Sequence, residues 1–149
     1  MSNITASLKL IMNLSRAHLV TARRMDQRLS GHGLGFSDFS ILMILNHAQG
    51  QKMRRGDLAE KIGLTASGVT RMLIPLEKIG LIQREAYERD ARVSYVTLTE
   101  TGKRIYQEAL SSADLVSQDI IPQDTISVAK AKKMDALADI LSELGGNII

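Results

Sequence analysis

The spacing of apolar residues changes twice along this chain of 149 residues, and this change limits the possible folds more than any other feature. Before Gly80 and again after Thr99, apolar residues recur every three to four positions, as they do in amphipathic helices. Between these two residues the spacing falls toward two, in short runs rich in β-branched side chains. The sequence therefore predicts a mainly α-helical protein with one small β-hairpin.

Four helices are predicted before the hairpin. They are expected at about residues 4–29, 38–49, 55–62 and 66–79. Ser37 is the expected N-cap of the second helix and Thr65 that of the fourth, because a side-chain oxygen can accept from a free N–H of the first turn. Gly63 is expected to end the third helix, since glycine adopts the left-handed conformation at little cost.

The hairpin and two further helices complete the predicted elements. The strands are expected at about residues 81–85 and 93–98, with the charged stretch YERDAR between them as the tip. Thr99 is the expected cap of a fifth helix, which Pro122 interrupts because proline lacks a backbone N–H donor. The last helix is expected to carry its apolar side on Ile126, Met134, Leu137, Leu141 and Leu144.

Basic residues are concentrated in the middle of the chain, although the formal net charge is only +3. Residues 51–104 hold eleven Lys and Arg against seven acidic residues, whereas the remainder is close to neutral. A basic lobe between neutral ends fits a polyanionic partner such as double-stranded DNA. An excess of this size also occurs on ordinary solvated surfaces, so charge alone leaves both interpretations open.

Composition and motifs disfavour several other classes of protein. The chain has no cysteine, which excludes disulfides, thiolate zinc sites and a cysteine-based redox sensor. The absence of a long apolar run or a secretory signal favours a cytoplasmic protein without a membrane partner. His18, His32 and His47 lack metal-ligand spacing, and no nucleophile-elbow or phosphate-loop motif occurs. We therefore expect no enzymatic activity, no metal and no cofactor.

The short third helix, the tight turn GLT and the fourth helix are followed directly by the basic hairpin, which is the layout of a winged helix-turn-helix. In such a unit the amino end of the second helix enters the major groove, where small and polar residues can approach bases and phosphates. The candidate residues there are Thr65, Ser67, Gly68, Thr70 and Arg71. Arg71 is the strongest candidate for a base contact, because its guanidinium can donate to both O6 and N7 of guanine.

The hairpin, or wing, adds cationic side chains to this layout. Arg89 and Arg92 are expected at its exposed tip, from which a guanidinium can reach a narrow minor groove. Asp90 would be unfavourable beside phosphate, so it either orients Arg92 or stabilises the turn.

Three further arginines are candidate DNA contacts. Arg54 and Arg55 stand at the start of the third helix, where a small capping hydroxyl is more usual than Arg54. That end of the helix is therefore loose, or Arg54 has been recruited to a phosphate. Arg84 either contacts DNA or pairs with Glu85 or Glu88. Several phosphate contacts in each subunit would make the affinity for DNA fall steeply with salt.

The terminal helices carry more apolar surface than one small winged lobe can cover, which favours burial against a second copy of the chain. The alternative is that they pack inside the monomer. We expect a single domain over residues 1–149, with dimerisation helices at about 1–35 and 100–149 and a DNA-binding lobe at about 36–99. Two-fold symmetry then predicts half-sites centred about 10 base pairs apart.

The run LTASGVTRMLIPLEKIGLIQREAYERDARVSYVTLTETG resembles the DNA-binding core of MarR-type transcriptional regulators. The matching positions are Val-Thr-Arg at 69–71, Leu-Glu at 76–77, Gly-Leu at 80–81, Asp-x-Arg at 90–92 and Leu-Thr-x-x-Gly at 98–102. The resemblance implies a homodimer that binds a palindromic operator, usually as a repressor. It implies that Arg92 enters the minor groove and that Ser67, Thr70 and Arg71 lie on the recognition helix.

The same resemblance suggests a small effector, often aromatic or anionic, bound between the helical base and the lobe. Arg16 and His18 are the candidate contacts for an anionic effector, and the alternative is an ordinary surface arginine and a partly buried histidine. The competing hypothesis for the whole chain is a winged-helix adaptor, which would present an apolar groove to another protein. The polar and cationic character of the recognition helix favours DNA over that hypothesis.

Overall fold

A computed structural model describes residues 3–122 and 128–149 of the chain. Its helices are α1 (Ala6–Leu29), α2 (Phe36–His47), α3 (Arg55–Ile62), α4 (Ala66–Lys78), α5 (Glu100–Ile120) and α6 (Val128–Gly145). Its strands are β1 (Lys52–Arg54), β2 (Ile82–Tyr87) and β3 (Asp90–Leu98). The predicted mainly helical fold with a small β wing is therefore confirmed.

The strands form an antiparallel sheet in the order β1-β3-β2. Ile82 of β2 lies opposite Leu98 of β3, and Met53 of β1 lies opposite Val96. β1 was not predicted, because three residues are too few to show an alternating pattern; it pairs with the edge that β3 leaves open. The hairpin strands also extend further into the charged stretch than predicted, which leaves a short turn at residues 88–89.

The core forms around α2, which is apolar on nearly every side and is therefore enclosed by other elements. Its buried residues are Phe39, Ser40, Ile41, Leu42, Ile44 and Leu45. Leu58 of α3 and Leu73 of α4 are fully buried in the same cluster, and each such side chain contributes roughly 1.5–3 kcal/mol of hydrophobic stabilisation. Tyr106 of α5 stacks on Phe39 with ring centroids 5.5 Å apart. The core thus holds one side of both α3 and α4 against α2.

The start of α2 differs from the prediction. Ser37 was expected to cap this helix, but Gly35 occupies the N-cap position and the helix begins at Phe36. The N–H of Gly35 donates to the Asp38 carboxylate at 2.8 Å, and the N–H of Phe36 donates to Asp26 Oδ1 at 2.7 Å. Two carboxylates therefore take the place of the expected hydroxyl in satisfying N–H groups at this end.

The start of α5 agrees with the prediction. Thr99 is its N-cap, and its Oγ1 accepts from the N–H of Gly102 at 3.0 Å. The same hydroxyl donates to the Gly80 carbonyl oxygen at 2.6 Å, and the Thr99 N–H donates to the Leu81 carbonyl oxygen at 3.1 Å. These hydrogen bonds join the start of α5 to Gly80 and Leu81, which lie between α4 and β2. The start of α5 and the start of the wing are therefore held together.

The two ends of the chain expose much apolar surface. Residues 6–20 of α1 are exposed throughout, and α6 has no buried residue. The exposed large apolar side chains of these helices are Leu8, Leu10, Ile11, Met12, Leu14, Leu19, Val20, Val128, Leu137, Ile140, Leu141 and Leu144. Ile126, which was expected on the last helix, lies outside the described residues. Within the described ranges, none of the helices combines the length and apolarity that a membrane span requires.

Candidate nucleic-acid interface

The turn between α3 and α4 has the geometry that the sequence predicts. Gly63 adopts the left-handed conformation, with φ of +79°. Thr65 caps α4, and its Oγ1 accepts from the N–H of Gly68 at 3.1 Å. Val69 is buried on one side of α4, whereas Ser67 is exposed on the other. The core therefore holds α4 so that its first turns present small polar residues to solvent.

Arg55 connects α3 to the exposed side of α4. Its Nη1 donates to Thr70 Oγ1 at 3.2 Å, and that hydroxyl donates in turn to the Ala66 carbonyl oxygen at 2.8 Å. Arg55, Ala66, Ser67, Thr70 and Arg71 line one open groove. A guanidinium from α3 thus lies along the first two turns of α4, next to the residues predicted to approach DNA.

A second groove connects the start of α3 to the wing. It is lined by Arg54, Arg55, Gly56, Asp57, Arg92, Val93 and Ser94. Because Arg55 lines both grooves, the amino end of α4 and the wing arginine lie on one continuous surface. We call this surface the cationic face and define it by Arg54, Arg55, Ser67, Thr70, Arg71 and Arg92.

The position of Arg92 differs slightly from the prediction, although its exposure agrees with it. Arg92 is the third residue of β3, just beyond the turn, and its side chain is 92% exposed. Asp90 Oδ1 accepts from the backbone N–H of Arg92 at 3.0 Å and from its Nε at 3.3 Å. Both proposed roles of Asp90 are therefore present, since one carboxylate holds the backbone after the turn and also orients the guanidinium. An exposed pair of this kind adds little stability.

Arg84 is engaged elsewhere, and the expected pairing with Glu85 or Glu88 is wrong. Its Nε and Nη2 donate to the two carboxylate oxygens of Glu77 in α4, at 2.9 and 3.0 Å. The Arg84 N–H also donates to Glu77 Oε2, at 3.2 Å. This hydrogen bonding lowers the pKa of Glu77 and raises that of Arg84. Arg84 lines neither groove of the cationic face.

Arg54 sits at the edge of the cationic face, beside Tyr95. It is the N-cap residue of α3 and makes no side-chain capping bond. Its Nε donates to the Tyr95 hydroxyl at 3.4 Å, and this hydrogen bond raises the pKa of the guanidinium. Lys52 Nζ lies 5.6 Å from the centroid of the same ring. Sequence reasoning missed Lys52 and Tyr95, because their proximity depends on the pairing of β1 with β3.

Arg89, Arg16 and His18 lie outside the two grooves. Arg89 is in the wing turn and lines a separate hollow with Tyr87 and Tyr95. Arg16 and His18 are both exposed on α1, so the alternative of a partly buried histidine does not hold in the single chain. The structure therefore brings together Arg54, Arg55, Ser67, Thr70, Arg71 and Arg92 of the predicted set, and it leaves these three residues and Arg84 apart from them.

The fold and the cationic face define a winged helix-turn-helix protein, and comparison with known proteins agrees. Residues 36–94 match the sequence model of the MarR family. The HTH-type transcriptional regulator MhqR of Bacillus subtilis is 28% identical over 145 residues, which cover 95% of this chain and 92% of MhqR. The chain is therefore similar to transcriptional regulators of the MarR family. The MarR family and MhqR are transcriptional regulators and not enzymes, which agrees with the expectation for this chain.

Solved structures of MarR regulators share the fold. Sco3205 from Streptomyces coelicolor, solved in complex with DNA, has a TM-score of 0.81 and 20% identity, covering 96% of this chain and 90% of that one. CouR from Rhodococcus jostii RHA1, solved bound to p-coumaroyl-CoA, has a TM-score of 0.80 and 20% identity, covering 96% of each chain. The architecture of the whole chain is thus that of this family.

Proposed function

We propose that this regulator binds a palindromic operator as a homodimer and represses transcription from it. The observation that carries the proposal is the position of Arg55, which lines both grooves and makes the cationic face continuous. A protein that presents a recognition helix and a wing arginine on one side can place them in neighbouring grooves of one duplex. Sco3205, which was solved in complex with DNA, supports this mode of binding by its similar fold.

Each part of the cationic face has a distinct proposed task. Arg71 reads a guanine in the major groove with two parallel hydrogen bonds. Thr65 and Ser67 hold phosphate oxygens through their hydroxyls, assisted by the positive end of the α4 dipole. The N–H of Gly68 and the hydroxyl of Thr70 already donate within α4, and these small residues let the helix approach the DNA closely.

The remaining arginines differ in their tasks. Arg54 and Arg55 contact the phosphate backbone of the DNA beside the recognition helix, and Arg92 enters the adjacent minor groove. Arg84 holds the wing through Glu77 instead of contacting DNA. Arg89 lines the separate hollow beside Tyr87 and Tyr95, and we assign it no contact with the operator.

The homodimer follows from the exposed apolar side chains of α1 and α6. A dozen large apolar residues of these two helices are exposed in the single chain, which is more than a soluble monomer normally leaves uncovered. Burial against a second copy would cover them, with residues of about 1–35 and 100–149 forming the interface. The two-fold axis would then set the half-sites about 10 base pairs apart.

A small aromatic or anionic ligand is the proposed signal for release. CouR, which shares the fold, was solved bound to p-coumaroyl-CoA, and this supports a ligand-responsive regulator. A ligand releases DNA if it binds more tightly to a dimer whose lobes no longer match the half-site spacing. Arg16 and His18 on α1 remain the candidate contacts, because their exposed side chains are open to the dimer interface or to a ligand.

Fluorescence anisotropy with the DNA upstream of its own gene tests the proposal. We expect tighter binding to that duplex than to an unrelated one, and a steep loss of affinity with salt. Arg92→Ala should weaken operator binding about tenfold, whereas Arg104→Ala, an equal change of charge on α5, should have little effect. Equal affinity for both duplexes would refute sequence-specific binding and favour a protein–protein adaptor.

A further inference from the structure

The exposed side of α4 contains one residue that its polar neighbours do not explain. Ser67, Arg71, Ile74 and Lys78 recur at intervals of four, three and four residues and are all exposed. This spacing places them in one stripe along the helix. Ile74 is 51% exposed in the middle of that stripe. A large apolar side chain therefore lies in the same stripe as Ser67 and Arg71, which are proposed to contact DNA.

The fold does not require an isoleucine at this position. The buried side of α4 is formed by Val69, Leu73 and Leu76, on the opposite part of the helix. Leu64 and Ile79 are the other exposed large apolar residues of this segment, and they lie at the two ends of α4, outside the stripe. Ile74 thus adds little to the core, and its exposed half is available for a partner.

Thymine offers the matching apolar group in the major groove. Base edges there present hydrogen-bond donors and acceptors, together with the C5-methyl group of thymine. Ile74 lies three residues beyond Arg71, an axial rise of about 4.5 Å at 1.5 Å per residue. Successive base pairs are about 3.4 Å apart. Ile74 can therefore reach a base one or two pairs from the one that Arg71 contacts, and its β-branched side chain has few rotamers to lose.

We propose that Ile74 is a specificity-determining residue that contacts the methyl group of one thymine in each half-site, one or two base pairs from the guanine bound by Arg71. This inference rests on the proposed function, since it requires α4 in the major groove. It adds an apolar contact to a surface otherwise defined by hydroxyls and guanidinium groups.

Replacing thymine by deoxyuridine tests the contact without altering any hydrogen-bonding group. The wild-type protein first selects its preferred duplex from a randomised pool, and each thymine of a half-site is then replaced in turn. We expect one position at which loss of the methyl group weakens binding about fourfold, the value for burying one such group. Replacement in both half-sites should weaken binding about 15-fold, because the two contacts add.

The matching protein variant identifies the side chain that makes the contact. Ile74→Ala should bind the thymine and deoxyuridine duplexes equally, and Ile74→Val should keep part of the difference. Leu64→Ala, a change of the same kind outside the stripe, should keep the whole difference. Thermal melting of each variant checks that it folds.

Two results would overturn the inference while leaving the proposed function standing. One is a wild-type protein that binds its selected duplex but tolerates deoxyuridine at every thymine. The other is an Ile74→Ala variant that remains as sensitive to deoxyuridine as the wild type. Failure of the wild type to select any duplex would instead refute the proposed function, and the inference with it.

Discussion

Arg71 is the residue on which base preference depends most directly in this account. It is exposed on the stripe of α4 and borders the groove that Arg55 and Thr70 share. A guanidinium in this position can make two parallel hydrogen bonds to guanine with a fixed, planar geometry that a hydroxyl group cannot supply. Its loss should therefore affect one base position more than the others.

We predict that Arg71→Ala relaxes the base preference at one operator position by roughly 1–3 kcal/mol. The measurement is a set of competition titrations with duplexes altered at each half-site position in turn. Arg104→Ala provides the control, because it removes a positive charge from α5. An Arg71→Ala variant with the base preferences and footprint of the wild type would show that this residue is not the reader.

Single residues could be predicted from the sequence where their partners are close in the chain. Thr65 and Thr99 are caps, as predicted, because each needs only the N–H three residues later. The prediction for Ser37 was wrong because Asp26, ten residues before Phe36, contributes to capping α2. The partner of Arg84 was missed for a similar reason, since Glu77 comes near it only after the chain turns from α4 into β2.

At the level of elements, one ion pair connects the recognition helix to the wing. The carboxylate of Glu77 in α4 receives three hydrogen bonds from Arg84 in β2. Hydrogen bonding to the charged form holds the pKa of Glu77 below its ordinary value. The ionised carboxylate of Glu77 thus connects the last turn of α4 to the first strand of the wing.

We predict that this pair makes stability depend on pH in the acid range. Because the pKa of Glu77 is lower in the folded state, its contribution is fully present above the ordinary value of 4.5 and is lost as the pH falls through the folded value. The difference in unfolding free energy between wild type and Glu77→Gln should shrink as the pH is lowered from 7 toward 3. A difference that stays constant over this range would contradict the prediction.

The packing of α5 against the start of the wing depends on Gly102, a residue without a side chain. Gly102 is buried in the first turn of α5, and a Cβ there would collide with the Leu81 carbonyl oxygen and lie 2.8 Å from Leu98 Cδ1. The Leu81 oxygen is backbone and already accepts from the Thr99 N–H. It cannot move aside without breaking that bond, so overpacking at this position is costly.

We predict that Gly102→Ala lowers the free energy of unfolding by about 1–3 kcal/mol, despite the better helix propensity of alanine. Gly56→Ala in α3 is the matched control, since a Cβ there meets nothing within 4 Å. That change should raise stability by up to about 1 kcal/mol. Chemical denaturation measures both, and equal effects of the two changes would contradict the packing argument.

Elements were predictable where they repeat a pattern over several turns. Apolar residues recur every three to four positions along α1 and α5, and a glycine follows α3. These patterns predicted the positions of the three helices to within a few residues. β1 could not be found in this way, because its three residues are defined by pairing with β3 and not by a pattern of their own. The grouping of Arg54 with Tyr95 depends on the same pairing and was missed with it.

At the scale of the whole molecule, the exposed apolar side chains of α1 and α6 favour burial against a second copy of the chain. Ile11 is 61% exposed on α1 in the single chain. We predict that Ile11→Glu shifts the protein from dimer toward monomer, because a buried carboxylate would be desolvated at the interface. Sedimentation equilibrium measures the change, and Ile79→Glu at the end of α4 serves as the control. A wild-type protein that sediments as one 16.4 kDa chain would contradict the prediction.

We propose above all that the amino end of α4 and the wing contact neighbouring grooves of one duplex. The chain has no cysteine, so Ser67→Cys and Glu88→Cys each provide a single attachment site for an iron chelate that cleaves nearby DNA. Both proteins should cleave the same half-site, from the major groove for Ser67 and from the minor groove about five base pairs away for Glu88. Cleavage by only one of them, or at unrelated positions, would contradict it.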